Sequence, residues 1–169
     1  MQLLIKQRIF AWGDTYDVYD EEEQPRYYVK GKVFSIGHQI HIYDKHTDEE
    51  VGAIKQKIFS FLPKFEIVIN GQIVGTITRE FNIFRHKYRV DFRDWEVDGD
   101  FIGWDYVARR GECEVLRVSK RFFAWSDTYA IEYHNPADEI PALLLVLAID
   151  AVNSDRENAL DSASDLLDI

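Results

Sequence analysis

Residues 135–154 read NPADEIPALLLVLAIDAVNS, and this stretch decides the fold. An acidic pair precedes Pro141, which is a favourable first turn for a helix. Between residues 140 and 149 every position apart from that proline is apolar. A helix that is apolar on all sides is buried in protein or in lipid. A membrane span needs about 20 such residues, so we expect no transmembrane segment but a helix at about 138–152 enclosed by the rest of the chain.

A repeated phrase predicts the strands around this helix. IFAWGDTYDV at 9–18 returns as FFAWSDTYAI at 122–131, and weaker copies occur at 58–67 and 82–90. The aromatic and aliphatic residues are spaced as on one face of a strand, so each copy predicts a β-hairpin with cross-strand pairs. The predicted turns are 13–15, 62–64, 85–87 and 126–128, and the predicted pairs are Trp12–Tyr16, Phe10–Val18, Phe61–Phe65, Phe59–Ile67, Phe84–Tyr88, Asn82–Val90, Trp125–Tyr129 and Phe123–Ile131.

A second recurrent phrase contains a glycine. Two of its occurrences follow Asn-Gly at 70–71 and Asp-Gly at 98–99, which are strong hairpin signals. Glycine inside a strand marks a bend or a close backbone approach. The chain up to about residue 133 thus predicts ten to twelve short strands, and with the apolar helix it predicts a β-barrel closed around that helix. The occurrences are EVGAI at 50–54, IVGTI at 73–77 and FIGWDY at 101–106, with Gly52, Gly75 and Gly103.

Composition limits the functional classes. The 169 residues carry a formal net charge of −10, which disfavours nucleic acid as a partner because its binding requires a cationic surface. The charge is uneven, since residues 52–93 hold eight Lys or Arg against three acidic residues. The lone Cys113 and the absence of a visible signal peptide predict a cytoplasmic protein.

The residues that often carry catalysis do not form a recognisable constellation. Asp14 and Asp127 occupy matching places in the repeat, where turn chemistry accounts for them better than an acid–base pair. His38 and His41 are spaced for opposite faces of a strand, so we expect no metal site. The acidic neighbours of Cys113 disfavour a nucleophilic thiolate. We therefore expect no enzymatic activity and no cofactor, and we interpret Asp150 as a structural anchor paired with an arginine of the wall.

The phrases KQKIFSF, FAWSDTYAIEY, VGxI and LLLVLAIDAV resemble the LURP-one-related family, including its bacterial YxjI-type members. That family is similar in fold to the Tubby C-terminal domain and to the phospholipid scramblases. The resemblance covers roughly residues 1–153 and implies a mainly β fold, with about twelve antiparallel strands closed around a central hydrophobic C-terminal helix. Residues 154–169 then form an acidic C-terminal tail, for which a weak amphipathic helix and disorder both remain open.

The resemblance also implies a binding function. Tubby-type domains bind phosphoinositide head groups through clustered basic residues, and a basic run lies in the middle of this chain. We expect a non-enzymatic binding or scaffold domain that engages a phospholipid head group or a protein partner, in the cytoplasm or peripherally at a membrane. A solvated strand face is the simpler interpretation of the run, and a small-molecule carrier or enzyme with a surface cleft is the alternative function. The candidate residues are Arg79, Arg85, Lys87, Arg89 and Arg93.

Overall fold

A computed structural model describes most of the chain. The described residues are 1–6, 15–34, 37–57, 60, 64–80, 87–101, 103–123 and 126–165. Only the backbone is described at 33–34, 79–80, 87–88, 122–123, 126–127 and 154–165.

Twelve strands precede one long helix in this part of the chain. The strands are β1 (Gln2–Ile5), β2 (Thr15–Tyr19), β3 (Pro25–Phe34), β4 (Gly37–Asp44), β5 (Glu50–Gln56), β6 (Lys64–Ile69), β7 (Gln72–Glu80), β8 (Lys87–Asp91), β9 (Glu96–Asp100), β10 (Asp105–Arg110), β11 (Cys113–Phe123) and β12 (Ser126–Tyr133). A short 3-10 helix (Pro136–Asp138) leads into α1 (Glu139–Asp165).

The strands form one antiparallel sheet in the order β8-β7-β6-β5-β4-β3-β2-β1-β12-β11-β10-β9. Neighbouring strands follow one another along the chain, and β1 pairs with β12 to join the two halves of the sheet. Among the described strands, only the consecutive pair β8 and β9 is not joined by a ladder. The result is a nearly closed twelve-stranded barrel, as the repeats and the resemblance predicted.

The first half of α1 fills the interior of this barrel. Every residue from 141 to 152 is buried. Successive residues are about 100° apart around a helix, so twelve consecutive buried positions mean that protein surrounds the helix on all sides. The prediction of an enclosed apolar helix is therefore confirmed. The helical backbone continues to Asp165, beyond the predicted end at about 152.

Alternation along the strands forms the matching inner wall. Ile40 and Ile42 of β4 and Phe65 and Ile67 of β6 are fully buried, whereas the residues between them are partly exposed. Residues two apart share a face of a strand, so these two strands each contribute one apolar row to the interior. Burial of these rows against α1 is the main source of stability, at roughly 25 cal/mol per Å² of apolar surface.

The predicted hairpin pairing was wrong by the same amount in all four copies of the repeat. In the last copy Ile131 pairs with Val118, five positions before the predicted Phe123. The turn lies between Phe123 and Ser126 rather than at 126–128, and Asp127 lies within β12. The Asp-Thr signal therefore falls inside a strand, and Asp14 lies outside the described residues.

The other copies show the same displacement of five residues. The observed pairs are Val18 with Ile5, Ile67 with Ile54, Phe65 with Gln56, Val90 with Ile77 and Tyr88 with Arg79, in place of Phe10, Phe59, Phe61, Asn82 and Phe84. Trp12 lies outside the described residues, as does Trp125. In most copies, the predicted and the observed register both pair the aliphatic residue of the second strand with an apolar residue of the first strand. The hydrophobic pattern alone therefore did not distinguish the two registers. The constant displacement shows that the phrase is a structural unit of the barrel wall.

The glycine predictions were confirmed in part. Asn70 and Gly71 form the β6–β7 turn, with φ of 51° and 74°, as a two-residue hairpin requires. A Cβ on Gly52 would lie 2.9 Å from a methyl carbon of Leu144, so the absence of a side chain at Gly52 allows α1 to approach β5 closely. Gly75 likewise lies beneath Phe92.

Two of the local predictions around β9 were wrong. Asp98 and Gly99 lie inside β9 rather than in a turn, and Gly103 lies in the β9–β10 turn rather than in a strand. The chain reverses instead at 92–95, where Arg93 and Asp94 adopt positive φ without any glycine. No Asn-Gly or Asp-Gly pair occurs in that reversal, so sequence signals could not locate it.

Candidate anion-binding surface

Three cationic residues follow one line across the sheet at one end of the barrel: Lys57 directly after β5, Lys64 on β6 and, beyond Thr78 of β7, Arg89 on β8. We call Lys57, Lys64 and Arg89 the basic row, and we call the end at which β7 leads into β8 the basic end. The Lys57 backbone N–H donates to the Lys64 carbonyl at 2.9 Å. Lys64 pairs with Thr78, which in turn pairs with Arg89. Since neighbouring strands lie about 4.8 Å apart, the Cα atoms of Lys64 and Arg89 are separated by roughly 10 Å.

The strand alternation turns the basic row outward. Phe65 and Ile77 are fully buried, so their chain neighbours Lys64 and Thr78 lie on the outer face. Lys57 and Arg89 are exposed and Lys64 is partly exposed. The row therefore places three cationic residues on the outer face of the barrel, from the end of β5 to β8.

Acidic residues limit this surface on one side. The Lys57 ammonium lies 2.9 Å from a carboxylate oxygen of Glu66, which pairs with Lys55 and Thr76 across the sheet. Asp91 pairs with Thr76 on the other side. Glu66 and Asp91 therefore offset part of the positive charge on that side of the row.

The structure brings three of the five predicted basic residues to the basic end. Arg79 pairs with Tyr88, Lys87 pairs with Glu80 and Arg89 pairs with Thr78 at adjoining positions of β7 and β8. Arg85 belongs to the connection between these strands and lies outside the described residues. Described backbone positions thus place Arg79, Lys87 and Arg89 together, next to the basic row.

Arg93 lies elsewhere. It follows β8 in the turn at 92–95, at the opposite end of the barrel, about 20 Å along the chain direction from Lys87. Its guanidinium lies 3.0 Å from Asp138, just before α1, and 5.6 Å from the ring of Trp95. The ion pair with Asp138 therefore connects Arg93 to the segment that leads into α1.

Sequence reasoning did not select Lys57 and Lys64 as site residues, although both belong to the basic middle of the chain. Their sequence distance from Arg89 is 25 residues or more. Only the ladders from β5 to β8 bring the three side by side, so the useful signal was the local excess of Lys and Arg rather than a motif.

A second polar cluster fixes the start of α1 at the end of the barrel opposite the basic end. Glu139 accepts hydrogen bonds from Arg26 Nε and the Tyr133 hydroxyl, each at 2.8 Å, and from the Tyr27 hydroxyl. Burial acts to raise the pKa of Glu139, but these three donors outweigh it and leave the pKa below its ordinary value. Burial, together with the Glu139 carboxylate, raises the pKa values of Tyr27 and Tyr133. This cluster is a structural clamp on a carboxylate that remains charged.

Asp150 lies near the end of the buried part of α1. Its side chain is 7% exposed, and it contributes, after burial, to a raised pKa of the Tyr16 phenol. The two groups therefore lie near each other in the barrel interior. The predicted arginine partner of Asp150 stays a prediction.

The described residues contain no group of three or more His, Cys, Asp or Glu side chains arranged to hold a metal ion. His41 instead lies 2.8 Å from Glu50 through Nδ1 and 3.3 Å from the Gln39 side chain through Nε2. Cys113 is exposed at the start of β11. None of the helices in the described part of the chain combines the length and the apolar character needed to cross a bilayer.

Comparisons with known proteins agree with this architecture. An Arabidopsis thaliana protein of known crystal structure superimposes with a TM-score of 0.59 over 89% of this chain and 90% of its own, at 17% identity, which is a likeness of fold. The Bacillus subtilis (strain 168) protein named "Uncharacterized protein YxjI" is 29% identical over 152 residues, covering 90% of this chain and 93% of its own length. The sequence pattern of the LURP-one-related family matches residues 1–150. The chain therefore belongs to the LURP-one-related family.

Proposed function

We propose that this protein is a non-enzymatic binding domain that engages anionic phospholipid head groups at the basic end of its barrel. The observation that carries the proposal is the basic row, in which Lys57, Lys64 and Arg89 lie on one line from the end of β5 to β8, with Thr78 between the last two, beside the backbone positions of Arg79 and Lys87. Phosphate groups are bound by clustered cations at close quarters. By its position in the sequence, Arg85 belongs to the connection between β7 and β8 at the same end.

The filled interior supports a function at the outer surface. Residues 141–152 of α1 occupy the space that a carrier or an enzyme of this fold would use as a pocket. Binding at the barrel end requires no such space, because a flat array of cations reaches phosphate groups that lie in a membrane plane.

Electrostatics predict a weak and salt-dependent interaction. Each Lys or Arg close to an anionic membrane contributes about 1 kcal/mol. The net charge of −10 opposes approach to the membrane. Because the screening length is about 8 Å at physiological ionic strength, the basic row acts locally while the distant acidic segments are largely screened.

Vesicle flotation tests the proposal. We expect the full chain to float with phosphatidylcholine vesicles that contain phosphatidylinositol bisphosphate and not with phosphatidylcholine alone. The double variant Lys64→Glu/Arg89→Glu removes two cations, so binding weakens by roughly thirtyfold or more. Soluble inositol trisphosphate competes if head-group recognition provides the affinity, and fails to compete if only the charged bilayer does.

Arg110→Glu/Arg117→Glu is the matched control. Both residues are exposed on β10 and β11, and the variant has the same change in net charge. We expect it to float as well as the natural sequence. Absence of flotation with any anionic vesicle would overturn the proposal and leave a protein partner as the explanation of the basic end, and equal losses in both variants would remove the assigned location.

A further inference from the structure

Among the described strands, β9 forms a ladder along one side only. Its five residues from Glu96 to Asp100 pair with Asp105–Arg109 of β10, whereas the neighbour on the other side, β8, forms no ladder with it. Both strands are described in full along their backbones. The sheet therefore has two edges, β8 and β9, and within the described residues no strand pairs with the outer side of β9.

Buried aromatic side chains explain why the edge stays open. The connection between β8 and β9 is only four residues long, and the Trp95 backbone N–H closes it on the Phe92 carbonyl at 3.1 Å. A two-stranded hairpin normally follows such a turn. Here Phe92 and Trp95 are each 2% exposed and pack edge to face with ring centres 5.6 Å apart. Their rings fill the interior beside the turn while the two strands diverge from it.

The edge of β9 is accessible from solvent. Glu96, Asp98 and Asp100 alternate along the strand and are all exposed. Gly99, which has a φ of 135° and lies against the backbone of β10, is exposed as well. Four of the five residues of β9 are therefore exposed, so solvent reaches this strand.

We propose that the edge of β9 binds an extended segment of a partner protein that carries basic residues at alternate positions. Addition of a strand to a sheet edge supplies affinity through main-chain hydrogen bonds, while alternate side chains supply specificity. Residues directly opposite each other across two strands have Cβ atoms about 4.5–5.5 Å apart, where opposite charges stabilise the pair. Lysines two residues apart in the partner therefore lie opposite Glu96, Asp98 and Asp100.

The same carboxylates discriminate against a second copy of this chain. Edge-to-edge pairing of two β9 strands would bring acidic residues of one copy against those of the other, and like charges placed opposite each other destabilise a ladder. Asp100 also accepts the Gly103 backbone N–H at 2.9 Å, which holds the end of the strand in shape. The edge thus disfavours pairing with a second copy of β9 while it remains complementary in charge to a basic strand.

The test uses a synthetic heptapeptide with lysine at every second position and valine or threonine between. Titrated into the isotopically labelled full chain, it is expected to shift the backbone amide signals of β9. A peptide of the same sequence with alternate backbone nitrogens methylated keeps every charge but cannot pair along the edge. We expect it to bind about tenfold more weakly or worse, because main-chain hydrogen bonds supply the affinity of strand addition. Equal binding of the two peptides would overturn the proposal.

Two protein variants locate the site. Glu96→Lys/Asp98→Lys places like charges opposite the peptide and is expected to weaken binding about tenfold. Glu21→Lys/Glu112→Lys changes the net charge by the same amount at two exposed turns and is expected to leave binding unchanged. Amide shifts confined to other strands, or full binding by the first variant, would refute the assignment. The Lys64→Glu/Arg89→Glu variant retains peptide binding, which separates this surface from the phospholipid surface.

Discussion

Leu144 and Gly52 form a contact between the central helix and the barrel wall whose energy can be measured. Leu144 is 0% exposed, and a Cβ added to Gly52 would lie 2.9 and 3.1 Å from its two methyl carbons. Leu144→Ala removes these methyl groups and leaves a cavity, so we expect a loss of about 3–5 kcal/mol in the free energy of unfolding. Gly52→Ala inserts a methyl group into the same space and is expected to cost about 1–3 kcal/mol through overpacking.

The double variant Gly52→Ala/Leu144→Ala decides whether this contact is as close as the structure places it. The new alanine methyl group enters the cavity that the leucine leaves, so the loss is smaller than the sum of the two single losses by about 1–3 kcal/mol. Urea denaturation followed by tryptophan fluorescence measures all four proteins. The carbonyl of Val68 lies 3.3 Å from the added Cβ in either background and limits the recovery.

Val146→Ala is the matched control, because Val146 is also 0% exposed but lies about 200° around the helix from Leu144. Combined with Gly52→Ala it is expected to be additive within about 0.5 kcal/mol. Additive losses in the Leu144 cycle as well would mean that Gly52 does not face Leu144, and would refute the description of this glycine as the place where the helix meets the wall.

Three further outcomes are expected. Glu139→Gln lowers the free energy of unfolding at neutral pH by about 1–3 kcal/mol, because it weakens the charge-assisted hydrogen bonds at the start of α1. The folded-state pKa of Glu139 is depressed, so this contribution is present above the unfolded value near pH ~4.3 and is lost as the pH falls through the folded pKa. Urea titrations of both proteins at neutral and acidic pH check this. A difference in the free energy of unfolding that stays constant with pH would contradict it. The hydrogen bond to Asp48 raises the pKa of Tyr28 to about 12, so Asp48→Asn lowers it toward the ordinary value in an ultraviolet phenol titration. Gly75→Ala destabilises the barrel more than Gly52→Ala, since its Cβ would lie 2.5 Å from the backbone oxygen of Asp91; urea midpoints compare the two, and equal midpoints would show that the strands shift freely.

The residues that predicted the barrel share one property, which is that their environment is set by local chemistry. The apolar run at 140–149 has no polar face, so it had to be enclosed wherever the rest of the chain went. Asn70-Gly71 formed the predicted turn because positive φ at both positions is favourable for these residues. The lack of a Cβ at Gly52 and Gly75 correctly indicated close approach, although not what would approach.

The errors share a different property. The hairpin register was displaced by five residues in each copy because apolar residues are frequent on both sides of the turn, so their spacing alone did not select one pairing. The reversal at 92–95 carries no glycine signal, and Asp98-Gly99 carries a strong one inside a strand. At 92–95 the buried Phe92 and Trp95 pack together beside the reversal, and at 98–99 pairing with β10 outweighed the local turn preference.

The sequence by itself determined that this protein would enclose an apolar helix in many short strands, because the burial of apolar side chains depends on which residues are present and how they alternate. Only the tertiary structure decided which residues stand beside one another on its surface. Lys57, Lys64 and Arg89 became one row, Arg93 went to the opposite end with Asp138, and β9 kept an open edge. These outcomes depend on strand register and closure, which result from packing throughout the barrel rather than from any local preference.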